Sequence, residues 1–486
     1  MNRLLNRNDN LSIIIAGIFA IITGVGVARF AFTSLIPSML ENYLDITFAG
    51  ILASLNFAGY LTGSILSVFI KDINQKVMLF RFGLVLAVLT TFVLAFSTNE
   101  TYWIIARIIA GFAGAMGLVV GSAIVMTKLQ IESKTKAMGI HFSGIGFSIL
   151  TTDLLNRYIL SSGGTWQDAW MYLAIFGAIL SVYSIYILSF DKMVKQNVVK
   201  HKFDTSIFTV FVILLIMAYF TEGVGFVVQG TFLPDIINNL PGLAGYGNLT
   251  WTLVGLAGIP SCIIWMRLAH KYGSVNIIII ALLIQMVGIL IPTFTSNIYL
   301  NLFSGVFYGG TFVGLVALFM NLGGQLAKHN PVVLMGALTT SYGIGQVIAP
   351  LYSVYLIEKF GNYDYALYLT ALIVFEGKSE SDYEYVRNHL VNIMLQNAVA
   401  DKKREPEQIT MNHMAYLIAR MVIDFALNPE LENNFTAQGR LYYAGINSHQ
   451  MGIESYRKTW KCYENLMGLA IESAIDEASK AVELYK

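Results

Sequence analysis

The stretch SFDKMVKQNVVKHKFD, residues 189–204, sits between two long apolar blocks, and its reading decides how the chain is organised. Before it, apolar runs long enough to cross a bilayer fall at about 11–40, 46–70, 77–97, 101–127, 137–160 and 170–190. After it they fall at about 207–232, 250–267, 275–295, 298–326 and 333–357, and a half-length run follows at 365–375. None alternates with period two, and lipid offers the backbone no hydrogen-bond partner, so each run is expected to be an α-helix. The last one stops early. Eleven residues rise about 16 Å, roughly half of a ~30 Å hydrocarbon core, before the chain turns charged at EGKSESDYEYVRNHL.

Composition agrees with a membrane protein. Only 13% of the 486 residues are charged and 56% are hydrophobic, with mean hydropathy +0.61, whereas a soluble domain carries about 25% charge. The average hides a split, since residues 376–486 hold 16 acidic and 12 basic side chains while residues 1–375 hold 14 and 19. The two cysteines, Cys262 and Cys462, exclude a disulfide framework, and no Cys/His cluster has metal-ligand spacing. No metal and no cofactor is expected. The N-terminus, MNRLLNRNDNLSIII, is basic before an apolar run too long for a signal peptide and without a small-residue cleavage site. It reads as a first span.

Lys and Arg in the loops set the orientation. With the N-terminus inside, the cytoplasmic segments hold Arg3, Arg7, Lys71, Lys76, Lys128, Lys134, Lys136, Lys192, Lys195, Lys200, Lys202, Arg267, Lys271 and Lys328. The opposite loops hold Lys359, with Arg157 close to that side. The halves also echo one another. SGIGFSI (143–149) resembles YGIGQVI (342–348), and Gly59 precedes Lys71 by the same twelve residues that separate Gly255 from Arg267. GVG followed by proline occurs at 24–26 with Pro37 and at 223–225 with Pro234. Weak repeats about a central loop are what a two-half transporter leaves in its sequence.

These residues resemble the major facilitator superfamily. The turn RLAHKYG (267–273), with Arg267, Lys271 and Gly273, is similar to its cytoplasmic turn between the second and third helices of a half, with His270 where Asp is usual. The first-half copy KDINQK (71–76) keeps Asp72 without the glycine, and ARIIAGFAGA (106–115) is similar to the fourth-helix motif, with Arg107 as its arginine. GVARFAFTSLIPSM (26–39), YFTEGVGFVVQGTFLP (219–234), WTLVGLAGIPSCIIWMRLA (251–269), GGTFVGLVAL (309–318) and TTSYGIGQVIAP (339–350) look like signatures of the YbfB/YjiJ-type family. The resemblance covers about residues 11–375. It implies an all-α membrane protein with a 6+6 helix bundle whose twelfth helix is truncated, in which helices 1, 4, 7 and 10 line the cavity. The expected divisions are an N-terminal half (1–190), a cytoplasmic linker (191–206), a C-terminal half (207–375) and a soluble helical domain (376–486). One departure is clear: drug/proton antiporters of the superfamily carry Gly-Pro in the fifth helix, where this chain has Gly144-Ile145-Gly146. That counts against a multidrug exporter.

Ionisable residues inside spans are functional candidates because a charge at the bilayer centre costs roughly 2.5–3.5 kcal/mol even on insertion scales. Arg29 offers a planar fork of donors to a substrate, or reaches toward helix-end carbonyls. Arg107 contacts substrate or serves the helix bundle. Glu222 in span seven carries a proton during transport, or pairs permanently with Arg29. Gln229 bonds substrate or a neighbouring helix. Asp153 and Arg157, four residues apart, share a helix face as an outer-gate ion pair. His141 is a packed neutral histidine or a proton relay. GFAGAMG (111–117) and SGVFYGG (304–310) permit close helix approach, and the aromatics of the second stretch either shape an apolar pocket or face lipid.

The tail reads as helices near 381–400, 406–427 and 453–484, the last with a stripe of Trp460, Tyr463, Met467, Ile471, Ala474 and Ala478. It holds no phosphate loop, metal spacing or basic nucleic-acid stripe, and is expected to be a helical bundle for protein contact or a passenger: an unrelated sequence joined near 375/376, or alternatively a native tail that plugs or regulates the cytoplasmic mouth. The expectation is a monomeric multi-pass transporter of the inner or plasma membrane, with both termini cytoplasmic. It would move a small organic solute by alternating access, coupled to protons, without enzyme chemistry or nucleic acid. The competing expectation is a non-transporting sensor or scaffold signalling through the tail.

Overall fold

The computed structural model describes residues 5–70, 72–130, 134–190, 210–326 and 331–374. The chain divides into two units, Met1–Lys378 and Ser379–Lys486. The second unit, with its expected helices and the junction at 375/376, lies outside the described residues, as does the linker 191–206.

The first unit is built of helices. The first half contains α1 (Asn10–Leu40), α2 (Ile46–Phe69), α3 (Ile73–Phe96), α4 (Glu100–Lys128), α5 (Lys134–Ser161) and α6 (Trp166–Ile187). The second contains α7 (Val210–Asn238), α8 (Gly247–Tyr272), α9 (Ser274–Phe294), α10 (Ile298–Leu326), α11 (Pro331–Phe360) and the short α12 (Asp364–Val374). Several helices begin before their apolar runs because a polar cap supplies the first turn. Asp72 accepts from Asn74 N at 2.8 Å and starts α3 four residues before the run at 77. Thr165 and Asp168 form a reciprocal capping box that starts α6 at Trp166 rather than 170. Between α8 and α9 the chain reverses through Gly273 alone, whose φ of 89° is open to glycine and strained for other residues.

Nine of the described helices are both long and apolar enough to cross a membrane. α5 and α11, with 28 and 30 residues, are long enough but are not among those nine. Each carries glycines and polar residues, Asp153 and Arg157 in α5 and Gln346 in α11, where it packs against other helices. The eleven expected spans are therefore all helices, and α12 is described as far as Val374, with the residues after it outside the described set.

Burial sorts the helices into shells. Of the most apolar eighteen residues, 72% are buried in α1 and α7 and 61% in α4 and α10, against 44% in α3, α6 and α9. The outer helices present apolar side chains such as Met78, Phe82, Ile179, Val182 and Phe294, as a lipid-facing surface requires. At the end of the bundle away from Asp72, Tyr43 stacks on Trp166 and donates to Thr98 O at 3.1 Å. Burial, with Glu100 nearby, pushes the Tyr43 hydroxyl up to about 12, so it remains a neutral donor.

The halves meet along two helix pairs, α2 with α11 and α5 with α8, related as a six-helix repeat demands. The α5–α8 crossing is backbone against backbone: a Cβ on Gly146 would lie 2.3 Å from Ile259 N and 2.6 Å from Gly258 C. The α2–α11 crossing is looser. There Gly343 faces the Leu61 side chain and Gly50 faces that of Val354. The two GIG motifs are not in register. Gly144 and Gly146 face α1 and α8, whereas Gly343 and Gly345 face α2 and α7, so the order of near and far partners is exchanged. Because backbone cannot yield as a side-chain tip can, Gly146→Ala is expected to destabilise the purified protein by about 1–3 kcal/mol, read as a lower melting temperature. Gly324→Ala, where nothing lies within 4 Å of the added carbon, should leave the melting temperature level or slightly raised.

Candidate functional site

The site begins with an irregular helix. Residues Ile22–Phe30 of α1 are wound as a π-helix, and so are Met116–Val120 of α4. Widened turns of this kind free a carbonyl from the helical ladder and are often found where a protein does its work. The two meet tightly, a Cβ on Gly24 falling 3.1 Å from Gly117 Cα. Within the α1 segment, Ala28 O accepts from Arg107 Nη1 at 3.0 Å and from Asn56 Nδ2 at 3.5 Å. Asn56 also donates to Arg107 O at 3.0 Å, and the Arg107 guanidinium lies 4.3 Å from the Phe32 ring centroid. Arg107, 2% exposed, is thus tied to the backbone of α1.

Arg29 is different. Its guanidinium lies 4.0 Å from the centroid of Phe57, 5.1 Å from Phe226, 5.3 Å from Tyr60 and 5.5 Å from Phe30. Cation–π attraction of this kind is worth about 0.5–2 kcal/mol per contact. Yet Nε and Nη2 are buried with no hydrogen-bond partner among the described residues. Phe226 of α7 is the hub of the surrounding cluster. Its ring centroid is 5.1 Å from Phe312 and 6.2–6.3 Å from Phe30, Phe57, Tyr308 and Tyr342. Rings from α1, α2, α7, α10 and α11 therefore converge on one arginine from both halves.

Glu222 is fully buried on α7 and is bonded to α9 rather than to Arg29: Gln285 Nε2 donates to its Oε1 at 3.3 Å, while Oε2 has no partner. Tyr308 and Tyr342 each lie within electrostatic range of both Arg29 and Glu222. Gln229 donates to Gly288 O at 3.1 Å and Ser304 Oγ at 3.4 Å, a helix–helix contact joining α7 to α9 and α10.

The other candidates lie apart from this cluster. Asp153 Oδ2 accepts from Thr252 Oγ1 at 2.5 Å, and Arg157 Nη1 donates to the same hydroxyl at 2.9 Å. The link between them therefore runs through α8 of the other half. His141 Nε2 bonds Ser122 Oγ at 2.8 Å, and its Nδ1 edge occupies the space a side chain on Gly17 would fill. Asp72 serves as a helix cap and Gly273 as a turn; His270 and Lys271 are exposed at the end of α8, with Lys271 4.8 Å over the Tyr272 ring. Among the described residues no group of three or more His, Cys, Asp or Glu side chains comes together to hold a metal.

Sequence reasoning did not single out Phe57, Tyr60, Phe226, Tyr342, Thr252 or Gln285. The aromatics are spread over 286 residues of chain, from Phe57 to Tyr342, and nothing local marks them. A partial signal existed in SGVFYGGTFVG, where Tyr308 and Phe312 prove to be buried in the cluster rather than facing lipid.

Two six-helix halves, a buried core formed by α1, α4, α7 and α10, and charges enclosed at their meeting define a bundle of the membrane-transporter class. The family described as "Uncharacterised MFS-type transporter YbfB" matches residues 21–378, and the chain belongs to that family. It is also similar to the "Multidrug efflux pump SdrM" of Staphylococcus aureus (strain N315), 30% identical over 185 residues, which is 37% of this chain and 39% of that protein.

Thr252 supplies the hydroxyl shared by the buried Asp153 and the partly buried Arg157, so Thr252→Val is expected to destabilise the protein by roughly 2 kcal/mol. Thr252→Ser should stay near the parent. Melting temperatures of the purified variants check both, and an unchanged Thr252→Val would show that the bridge contributes nothing.

Proposed function

We propose that the chain is a proton-coupled secondary transporter that moves a small organic solute through the plasma or inner membrane by alternating access. The observation that carries the coupling is Glu222. It is a fully buried carboxyl on a core helix, held at one oxygen by Gln285 and unpartnered at the other. A carboxyl in such a place is held more cheaply neutral than charged. In this reading it takes a proton at Oε2 from one side of the membrane and gives it up to the other. Arg29, which shares the neighbours Tyr308 and Tyr342 with it, supplies the charge against which the carboxylate is stabilised once it has lost that proton.

The end bearing Asp72, Arg267 and Lys271 is assigned to the cytoplasm, as the basic loops direct. The Asp153–Thr252–Arg157 bridge and the bond from Thr33 Oγ1 to Gly230 O (2.6 Å) then cross between the halves on the outer side and close it. His141, bonded to Ser122 and packed on Gly17, is given a structural role. Partial likeness to a multidrug efflux pump supports organic compounds as cargo. Gly144-Ile145-Gly146, in place of Gly-Pro, keeps drug export itself out of the proposal.

In proteoliposomes, the wild-type chain should acidify or alkalinise the lumen when a transported solute is added. Glu222→Gln should abolish that proton movement while preserving solute exchange across the membrane. Proton movement unchanged by Glu222→Gln would remove Glu222 from the coupling step.

A further inference from the structure

The cargo class can be read from the edge of Arg29 that remains unpartnered. Nε and Nη2 lie on the same side of a guanidinium, with their hydrogens parallel and the nitrogens about 2.3 Å apart. That spacing matches the oxygens of a carboxylate and is the geometry of bidentate Arg–carboxylate recognition. Both atoms are buried without a partner, although the side chain is only 9% exposed. Arg107, the neighbouring cation, spends Nη1 on Ala28 O. Glu222, the buried carboxyl of α7, accepts from Gln285 and makes no ion pair with Arg29. The protein thus builds a paired-donor edge inside its core and provides no acceptor for it.

What surrounds the edge is as informative. Phe57, Phe226, Tyr60 and Phe30 enclose the guanidinium. A ligand whose head sits on Arg29 must lay the rest of itself against ring faces, which favours an apolar or aromatic skeleton. An organic cation would have to enter beside two arginines.

We propose that the transported solute is a small organic monocarboxylate with an apolar body, bound bidentate by Nε and Nη2 of Arg29 within the ring cage. This rests on the transporter reading above and names its substrate class. A monocarboxylate moving with one proton transfers no net charge, so transport would respond to a pH gradient and not to membrane potential.

The test is equilibrium binding, which needs neither gradient nor flux and so fails separately from the coupling reading. The full chain in nanodiscs is titrated with benzoate, phenylacetate and octanoate, and with benzamide and benzylamine as neutral and cationic counterparts, by thermal shift and intrinsic fluorescence. At least one carboxylate is expected to stabilise the protein, with benzamide and benzylamine at least about tenfold weaker. Arg29→Lys keeps the charge and loses the fork, and it should weaken carboxylate binding by about tenfold or more. Equal or tighter binding of benzamide or benzylamine overturns the proposal, as does carboxylate binding unaffected by Arg29→Lys or the absence of any carboxylate effect. If Arg29→Lys does not fold, the comparison of wild-type isosteres decides alone.

Discussion

Two guanidinium groups must be held inside a bundle whose surroundings are lipid, and much of the central architecture follows from that constraint. An arginine at membrane depth costs several kcal/mol unless its donors find acceptors. Arg107 finds one in the Ala28 carbonyl, which lies within the widened turns of α1. The widened turns of α1 and α4 can lie side by side only because Gly24 and Gly117 let backbone touch backbone. Arg29, one residue after Ala28, is carried by the same π-turn into the ring cluster. Helix geometry, glycine placement and charge burial are one arrangement seen at three scales.

The halves are related but not equivalent. Both π segments lie in the first half, whereas α7 and α10 are regular α-helices throughout their described lengths. The first half brings the two positive charges, the second brings Glu222 and most of the rings. The interface is uneven too. One seam is glycine against glycine, α5 on α8, and the other is side chain against glycine, α2 on α11. A tight seam and a yielding one suit rigid halves that rock, since packed interfaces switch between arrangements rather than deform smoothly.

Much of the fold was legible in the sequence because lipid leaves the chain few choices. Apolar length gave the spans, and the echo of Pro37 by Pro234 gave the repeat. Helix starts were missed by up to four residues, since Asp72 and Thr165 cap turns that hydropathy does not see. The site was legible only in part. A buried Arg29 or Glu222 stands out in an apolar run, but its partners do not. Gln285 and Thr252 are ordinary polar residues of helices distant in sequence, and Phe226 becomes a hub only when five helices converge. Thr252 also changes the expected relation of Asp153 to Arg157: spacing four predicts a shared face, and the structure routes their contact through the opposite half.

The proposed exchange requires that closing one end of the bundle opens the other. Spin labels across the halves can report this: Gln75 with His270 at the basic end and Ser162 with Ala244 at the opposite end, all exposed, after replacement of Cys262 and Cys462. Between alkaline and acidic buffer, the two distance distributions should shift in opposite senses, one pair separating as the other approaches, and Glu222→Gln should remove the response. Distances at both ends that stay fixed, or that widen together, would contradict alternating access governed by a proton at Glu222.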